Sequence, residues 1–324
     1  MAWSLDQLSR ISGGETCGDK ESLIIGLCSS EKPIKNCLAF SLNEKISRNL
    51  DQAGCFVISK EKPLKGICHP DPKLAFSSIV NEIKPNYEKP KKLISEKAHI
   101  SKSAKIDQDV EIGPFVFIGE DVKISKGTEI HAFSFIGNKC KIGSFCKIMP
   151  HAVIMDNCNL GDKCLIGPSS VVGNSGFNIH KTDKEIFRMP HIGGVQIQKN
   201  ATIGALNTID GGLIDPTDIG KNVKTDSQVH IAHNVNLGDN ALIAAKSGIA
   251  GSSKIKENFI AGGRVGVSDH TKIGKNVTAG VGSMIISDIE DDSTVLGYPA
   301  RAKKITLSIW ASLKKLPVWI KKKK

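Results

Sequence analysis

Every sixth residue from Ile100 onward is aliphatic: Ile100, Ile106, Ile112, Ile118, Ile124, Ile130, Ile136, Ile142, Ile148, Ile154, Leu160, Ile166 and Val172. A break runs from Gly173 to Gln196. The period resumes at Ile197, Ile203 and Ile209, and a four-residue insertion at "GGLIDP" shifts its phase. It then continues through Ile219, Thr225, Ile231, Leu237, Ile243, Ile249, Ile255, Ala261, Val267, Ile273, Ala279 and Ile285. A helical period of 3.6 residues cannot generate a strict six. The spacing predicts hexapeptide repeats of a parallel β-helix. Each hexad supplies a short strand and a turn. Three hexads close a triangular coil, so each inward side chain stacks ~4.8 Å from its counterpart about 18 positions on. Glycine often follows the aliphatic position, as in Ile112-Gly113, Ile142-Gly143, Ile203-Gly204 and Ile273-Gly274. These glycines are expected to serve turns that need φ > 0.

The flanks lack the period. The chain therefore divides into a small N-terminal α/β domain (1–95), a left-handed parallel β-helix (96–300) and a basic C-terminal helical tail (301–324). The overall class is mainly β. In the first region "SLDQLSRISG" and "LAFSSIVNEI" read as helices, and "SLIIGLC" and "GCFVISK" as strands. "KPNYEKPKK" reads as the linker. The tail "ITLSIWASLKKLPVWIKKKK" is amphipathic, with a kink or break expected at Pro317. Trp310 and Trp319 either cover a neighbouring surface or grip a partner.

Composition narrows the function classes. The 324 residues are 40% hydrophobic but only 5% aromatic, with 31 glycines, which suits an aliphatic β core with many turns. No basic-then-apolar leader opens the sequence, and no apolar run is long enough to span a bilayer. The nine cysteines are scattered, which argues against a disulfide framework and for a reducing cytoplasm. Cys140, Cys146, Cys158 and Cys164 each lie four places after an aliphatic position, where Ala152 fills the intervening slot. They read as small interior residues rather than a metal cluster. The net charge of +11 favours an anionic partner: nucleic acid, a phosphorylated small molecule, an acidic carrier protein or anionic lipid.

Chemistry is expected where hexads carry reactive groups or loops interrupt them. His233 stands two after Ile231 and His270 three after Val267. Ile231 and Val267 are two coils apart, which sets the imidazoles on one edge about 10 Å apart along the axis. Between them, one coil beyond His233, lies Gly251, a glycine that leaves its N–H accessible. The set suits acyl transfer. A neutral histidine takes a proton from an attacking amine or hydroxyl, a backbone N–H holds the tetrahedral oxyanion, and a second imidazole binds phosphate or orients the donor. His230 is assigned to the preceding turn, structural or beside the substrate, and not the base.

The segments "ATIGALNTIDGG", "TDIGKNVKTDSQVHIAHN" and "VHIAHNVNLGDNALIAAKSGIAGSSKI", with "SLDQLSRISGGETCGD", "LAFSLNEK" and "DPKLAFSSIV" upstream, resemble the UDP-3-O-(3-hydroxyacyl)glucosamine N-acyltransferases of lipid A biosynthesis. The resemblance covers nearly the whole chain. It implies His233 as general base toward the glucosamine 2-amino group, Gly251 as oxyanion donor, and His270 as a positioner of donor or phosphate. It implies Asp226 at the sugar, and Phe40, Asn43 and nearby Lys45 at the uridine. The implied donor is a 3-hydroxyacyl chain on the 4'-phosphopantetheine of acyl carrier protein, an acidic partner for the basic C-terminal end. No cofactor of the enzyme's own, no metal and no nucleic acid are implied. The implied assembly is a homotrimer with sites between subunits, and the basic tail allows peripheral contact with the inner membrane surface.

The chain departs from the family pattern at several points. Ile46 stands where a uridine-stacking Tyr is expected. Asp210-Gly211-Gly212 replaces Asp-Arg-Gly, Ser175 replaces an acidic residue, and the C-terminal helix is short. Gly282 falls roughly where some members carry a methionine that limits the acyl groove. An acetyl-CoA-dependent nucleotide-sugar acetyltransferase on the same scaffold is the alternative reading. A non-catalytic assembly protein is disfavoured by the in-phase His233, Gly251 and His270. A zinc lyase is disfavoured because three histidines do not fall at suitable phases.

Overall fold

The structure, a computed structural model, describes residues 2–83, 94–297 and 303–322. The expected linker lies outside the described residues. The chain divides into two compact units, Met1–Lys89 and Pro90–Lys324.

The first unit holds a five-stranded sheet ordered Glu15–Cys17, Gly66–Cys68, Phe56–Ser59, Cys37–Phe40, Gly26–Leu27, antiparallel at the first pair and parallel beyond. Helix α1 (Leu5–Ser12) starts on a capping box: Ser4 Oγ accepts from the Gln7 N–H while Gln7 Oε1 accepts from the Ser4 N–H. It stops at Gly13, whose φ of 72° is the left-handed C-cap. Helices α2 (Glu44–Gln52) and α3 (Pro72–Ile83) follow. Strand alternation sorts the core into two layers. Leu38, Phe56 and Ile58 pack with Leu5, Leu8, Ala75 and Ile79 of α1 and α3, whereas Ala39 and Val57 face Leu50 of α2 on the other side. Helix α2 and the strand Cys37–Phe40 were not read from the sequence. The first is short and polar, with Leu50 its sole buried residue.

The second unit is a parallel β-solenoid whose three sheets have ten, ten and nine strands. Strands of two to five residues pair with those one coil on: Ile112 with Ile130, Ile118 with Ile136, Ile124 with Ile142. The insertion appears as a register of Ile197 with Ile219, so the extra residues loop out and the core stays in phase. The inward residues form one continuous cluster from Val110 to Ile285. Each fully buried aliphatic contributes ~1.5–3 kcal/mol, so the column stabilises the unit without aromatic bulk. Cys140, Cys146, Cys158 and Cys164 are buried within it. Burial pushes the Cys140 thiol up to about 11 and the Cys158 thiol up to about 12, which keeps them protonated and inert.

The glycines after the aliphatic positions have a different cause from the one expected. The left-handed slot lies two residues further on and is filled mostly by other residues, such as Asp109, Phe115, Lys139, Asn157 and His270. A Cβ on Gly113 would sit 2.7 Å from Ala132 N, and one on Gly143 2.6 Å from the Gly161 carbonyl carbon. Glycine is needed there because the next coil lies against it. The left-handed slot instead recruits asparagine. The amides of Asn200, Asn222, Asn240, Asn258 and Asn276 donate in sequence up one corner at 2.7–3.1 Å, ending on Asp292.

Helix α4 (Lys303–Lys322) closes the chain. It runs through Pro317, so the expected break does not occur. Trp310, Leu313, Leu316 and Trp319 are exposed on it. Among the described residues no helix is long and apolar enough to cross a membrane.

Candidate active site

One solenoid face carries the candidate chemistry. His230, Gly248, Gly266 and Met284 are in register on its outer side, one rung apart, with Ile231, Ile249, Val267 and Ile285 facing inward beneath them. Two successive glycines remove the side chains from the middle of this column. They leave the floor of a groove of about 830 Å³, bounded by His230 at one end and Met284 and Ile286 at the other. Phe177, Asn178 and Ile179 of the loop 173–196 form part of its wall, and His233, Gly251, Asp269 and His270 its corner.

His233 has a defined tautomer. The Asn234 amide nitrogen donates to the Asp215 carbonyl at 3.0 Å, so its Oδ1 is the atom that accepts from the Leu213 N–H at 3.0 Å and faces His233 Nδ1 at 3.2 Å. His233 Nδ1 therefore carries the hydrogen, and Nε2 presents its lone pair. That Nε2 lies against Gly251, where a Cβ would approach to 2.9 Å.

The Gly251 N–H has no hydrogen-bond partner among the described residues. At some other positions of the same hexad slot an acidic side chain one coil on caps the amide: Asp239 Oδ1 accepts from Lys221 N, and Asp162 Oδ1 from Ser144 N, both at 2.7 Å. The residue in the capping place for Gly251 is Asp269, and its carboxylate accepts instead from the Ser268 hydroxyl at 3.1 Å. A bare donor and a free imidazole nitrogen thus adjoin at the head of the groove. The His270 N–H donates to the Gly251 carbonyl at 3.0 Å, which fixes that peptide.

Not all the sequence-derived residues converge. Asp226 is exposed at another corner of the prism, with Oδ1 accepting from Ser227 N at 2.7 Å, and does not line the groove. Phe40 packs against Phe76 at 5.0 Å on the α1/α3 side of its sheet, while Ile46 packs beside Leu50 on the other. Asn43 caps α2 through a 2.9 Å bond from Ile46 N and borders a cavity of about 310 Å³ with Arg48, Asp51, Lys60 and Lys62. Neither Phe40 nor Lys45 lines that cavity. Two readings are corrected. His230 is not in a turn but in a strand, paired with Thr208 and Gly248 and lining the groove. The groove ends at Met284, and Gly282, at a left-handed corner, does not line it.

Two histidine arrangements were missed. His230 Nε2 lies 3.7 Å from the buried Asp210, which Asn174 holds at 2.9 Å. His191 meets His233 edge to face, with ring centroids 5.0 Å apart. The signal for the second was coil arithmetic: Val172 stacks on Ile209 and Ile209 on Ile231. The loop that leaves at Gly173 therefore emerges from the His233 corner, two rungs before it.

Residues 216–251 match the bacterial transferase hexapeptide model (six repeats), and residues 93–175 the GMPPB C-terminal domain. The UDP-3-O-acylglucosamine N-acyltransferase of Methylacidiphilum infernorum is 40% identical over 254 residues, 76% of this chain and 72% of that protein. The chain belongs to the UDP-3-O-acylglucosamine N-acyltransferase family. The family member of Caulobacter vibrioides is 47% identical over 134 residues, a match that spans 41% of this chain and only 40% of that protein. Among solved structures, the UDP-N-acetylglucosamine acyltransferase of Arabidopsis superposes with a TM-score of 0.57 at 26% identity, over 63% of this chain and 71% of that one.

Proposed function

We propose that the protein transfers a 3-hydroxyacyl chain from acyl carrier protein to the 2-amino group of UDP-3-O-acylglucosamine, a step of lipid A biosynthesis. The observation that carries this reading is the pairing of the His233 Nε2 lone pair with the open Gly251 N–H at the head of the apolar groove. The amine attacks the thioester carbonyl while His233 takes its proton. Gly251 N–H donates to the oxyanion, and collapse expels the phosphopantetheine thiolate, which takes up the proton. The acyl chain lies over Gly248 and Gly266 and stops at Met284. His270 steadies the Gly251 peptide and faces the donor.

The remaining contacts follow from where charge and apolar surface lie. The nucleotide engages the N-terminal unit, where the Asn43 cavity mixes Arg48, Lys60 and Lys62 with Glu44, Asp51 and Glu61; the uridine roles of Phe40, Asn43 and Lys45 rest on the family resemblance alone. The acidic carrier docks on the basic α4. Asp226, on a different corner from His233, serves the sugar in a site built between copies of a trimer. The exposed stack of Phe115 on Phe133, centroids 5.1 Å apart, supplies apolar surface for that assembly. The chemistry takes place in the cytoplasm and needs no cofactor beyond the carrier's own arm. The groove's apolar far end, with Met284 and Ile286 exposed, favours this donor over acetyl-CoA, which would leave it empty. Incubating the protein with UDP-3-O-acylglucosamine and 3-hydroxyacyl carrier protein should give an acyl-sized mass gain on the sugar. Acetylation from acetyl-CoA with no transfer from any carrier-linked donor would overturn the reading.

A further inference from the structure

We propose that His191 is a positioning residue for His233, holding the imidazolium that forms when His233 takes a proton; this rests on the acyl-transfer reading above. His191 Nδ1 lies 2.9 Å from the Met189 carbonyl, which only accepts, so Nδ1 carries the hydrogen and Nε2 the lone pair. That Nε2 is buried and has no hydrogen-bond partner. A buried acceptor without a donor is costly and calls for a compensating role. Its surroundings supply one. The two rings stand 5.0 Å apart at 60°. His191 Nε2 and His233 Cδ2 each lie 2.7 Å from the point a Gly176 Cβ would occupy, so both rings border the space that glycine leaves open.

The neutral and protonated states of His233 meet this lone pair differently. A neutral imidazole is only a weakly polar neighbour for it. The imidazolium, 5.0 Å away centroid to centroid, carries a full positive charge spread over its ring, and the interaction becomes ion–dipole in a low-dielectric corner. Little else in the groove answers that charge. No lysine or arginine and a single carboxylate, Asp269, are among the lining residues, and Asp269 already accepts from Ser268. Asn234 Oδ1 takes the Nδ1 side of the ring, and His191 stands against the ring at 5.0 Å between centroids. An interaction stronger after proton transfer than before it lowers the barrier without tightening substrate binding. His191 does not touch the reacting atoms, because its Nε2 is closed off from solvent.

The test uses the full-length protein and two replacements. His191→Phe keeps a ring of similar size but has no lone pair. His191→Gln keeps an acceptor oxygen and a donor for the Met189 carbonyl. His191→Phe should lower kcat about tenfold with KM for both substrates within about twofold, and His191→Gln should recover kcat to within about threefold of wild type. A second readout needs no acyl transfer. Carbethoxylation of His233 by diethyl pyrocarbonate, in which Nε2 attacks the reagent carbonyl and ethyl carbonate leaves, also builds positive charge on the ring. Its rate, followed at His233 by tandem mass spectrometry of the peptide, should fall about threefold or more in His191→Phe and recover in His191→Gln. Wild-type kcat and carbethoxylation rate in His191→Phe would overturn the proposal. So would a Gln variant as impaired as Phe, since packing alone would then explain the contact. If the wild-type protein transfers no acyl group, the proposed function fails, and the carbethoxylation rates still decide the role of His191.

Discussion

Replacing Gly248 with leucine separates the fold from the groove. A Cβ at Gly248 meets no atom within 4 Å, and its backbone is ordinary strand, so the fold accommodates a side chain there. Glycine weakens a strand interior, and the replacement should leave stability unchanged or raise it by about 0.5–1 kcal/mol. The same side chain projects into the groove one rung beyond His230. The column from His230 to Met284 spans three rungs, roughly 14 Å at ~4.8 Å each. A leucine at the first rung closes off the last two, room for about seven methylenes. At ~0.8 kcal/mol per fully buried CH₂, halved because the groove is open on one side, the loss is about 3 kcal/mol. That is roughly a hundredfold in kcat/KM for a long-chain donor. A donor of four carbons or fewer should be almost unaffected. The assay is kcat/KM across a series of carrier-linked chain lengths, with Tm measured in parallel. A uniform loss across chain lengths, or full activity with long donors, would refute the assignment of the trough to the acyl chain.

Met284→Ala should shift the preferred donor upward by about two to four carbons, since the thioether overhangs Gly266 and its removal opens about one more rung; chain-length profiles check this. Gly251→Ala should cost about a hundredfold in kcat, because the added methyl would meet His233 Nε2 at 2.9 Å, while a circular-dichroism melt stays within about 2 °C of wild type. Burial pushes the Asp51 carboxyl above its usual range, and its Oδ1 has no partner. The folded state therefore binds that proton more tightly than the unfolded one, and stability declines as pH rises above about 3.8. Asp51→Asn should raise Tm by about 2 °C at pH 7 and leave it unchanged below about pH 3.5.

The solenoid was legible because its constraint is strictly periodic. One inward residue per hexad is aliphatic at nearly every step, Thr225 excepted, and the same residues pair from coil to coil, so counting alone placed Gly251 beside His233. The causes of individual residues were less legible. Glycine after many of the aliphatic residues looked like a turn residue, whereas the structure needs it for close approach of the next coil, a long-range contact that local sequence does not encode. The His191 contact depends on how a loop folds back over its own corner. In the N-terminal unit, side-chain direction decided what spacing could not: Phe40 and Ile46 are six apart, yet strand pleat and helix phase send them to opposite faces of one sheet.

The chemistry stands or falls on the corner where His233 meets Gly251. Transfer of a 3-hydroxyacyl group to UDP-3-O-acylglucosamine should be followed by mass spectrometry for wild type, His233→Ala and His230→Ala. His233→Ala should lose at least about a hundredfold in rate with unchanged melting behaviour, and His230→Ala should stay within about tenfold of wild type. A His233→Ala variant that transfers the acyl chain at the wild-type rate would contradict the assignment of the base.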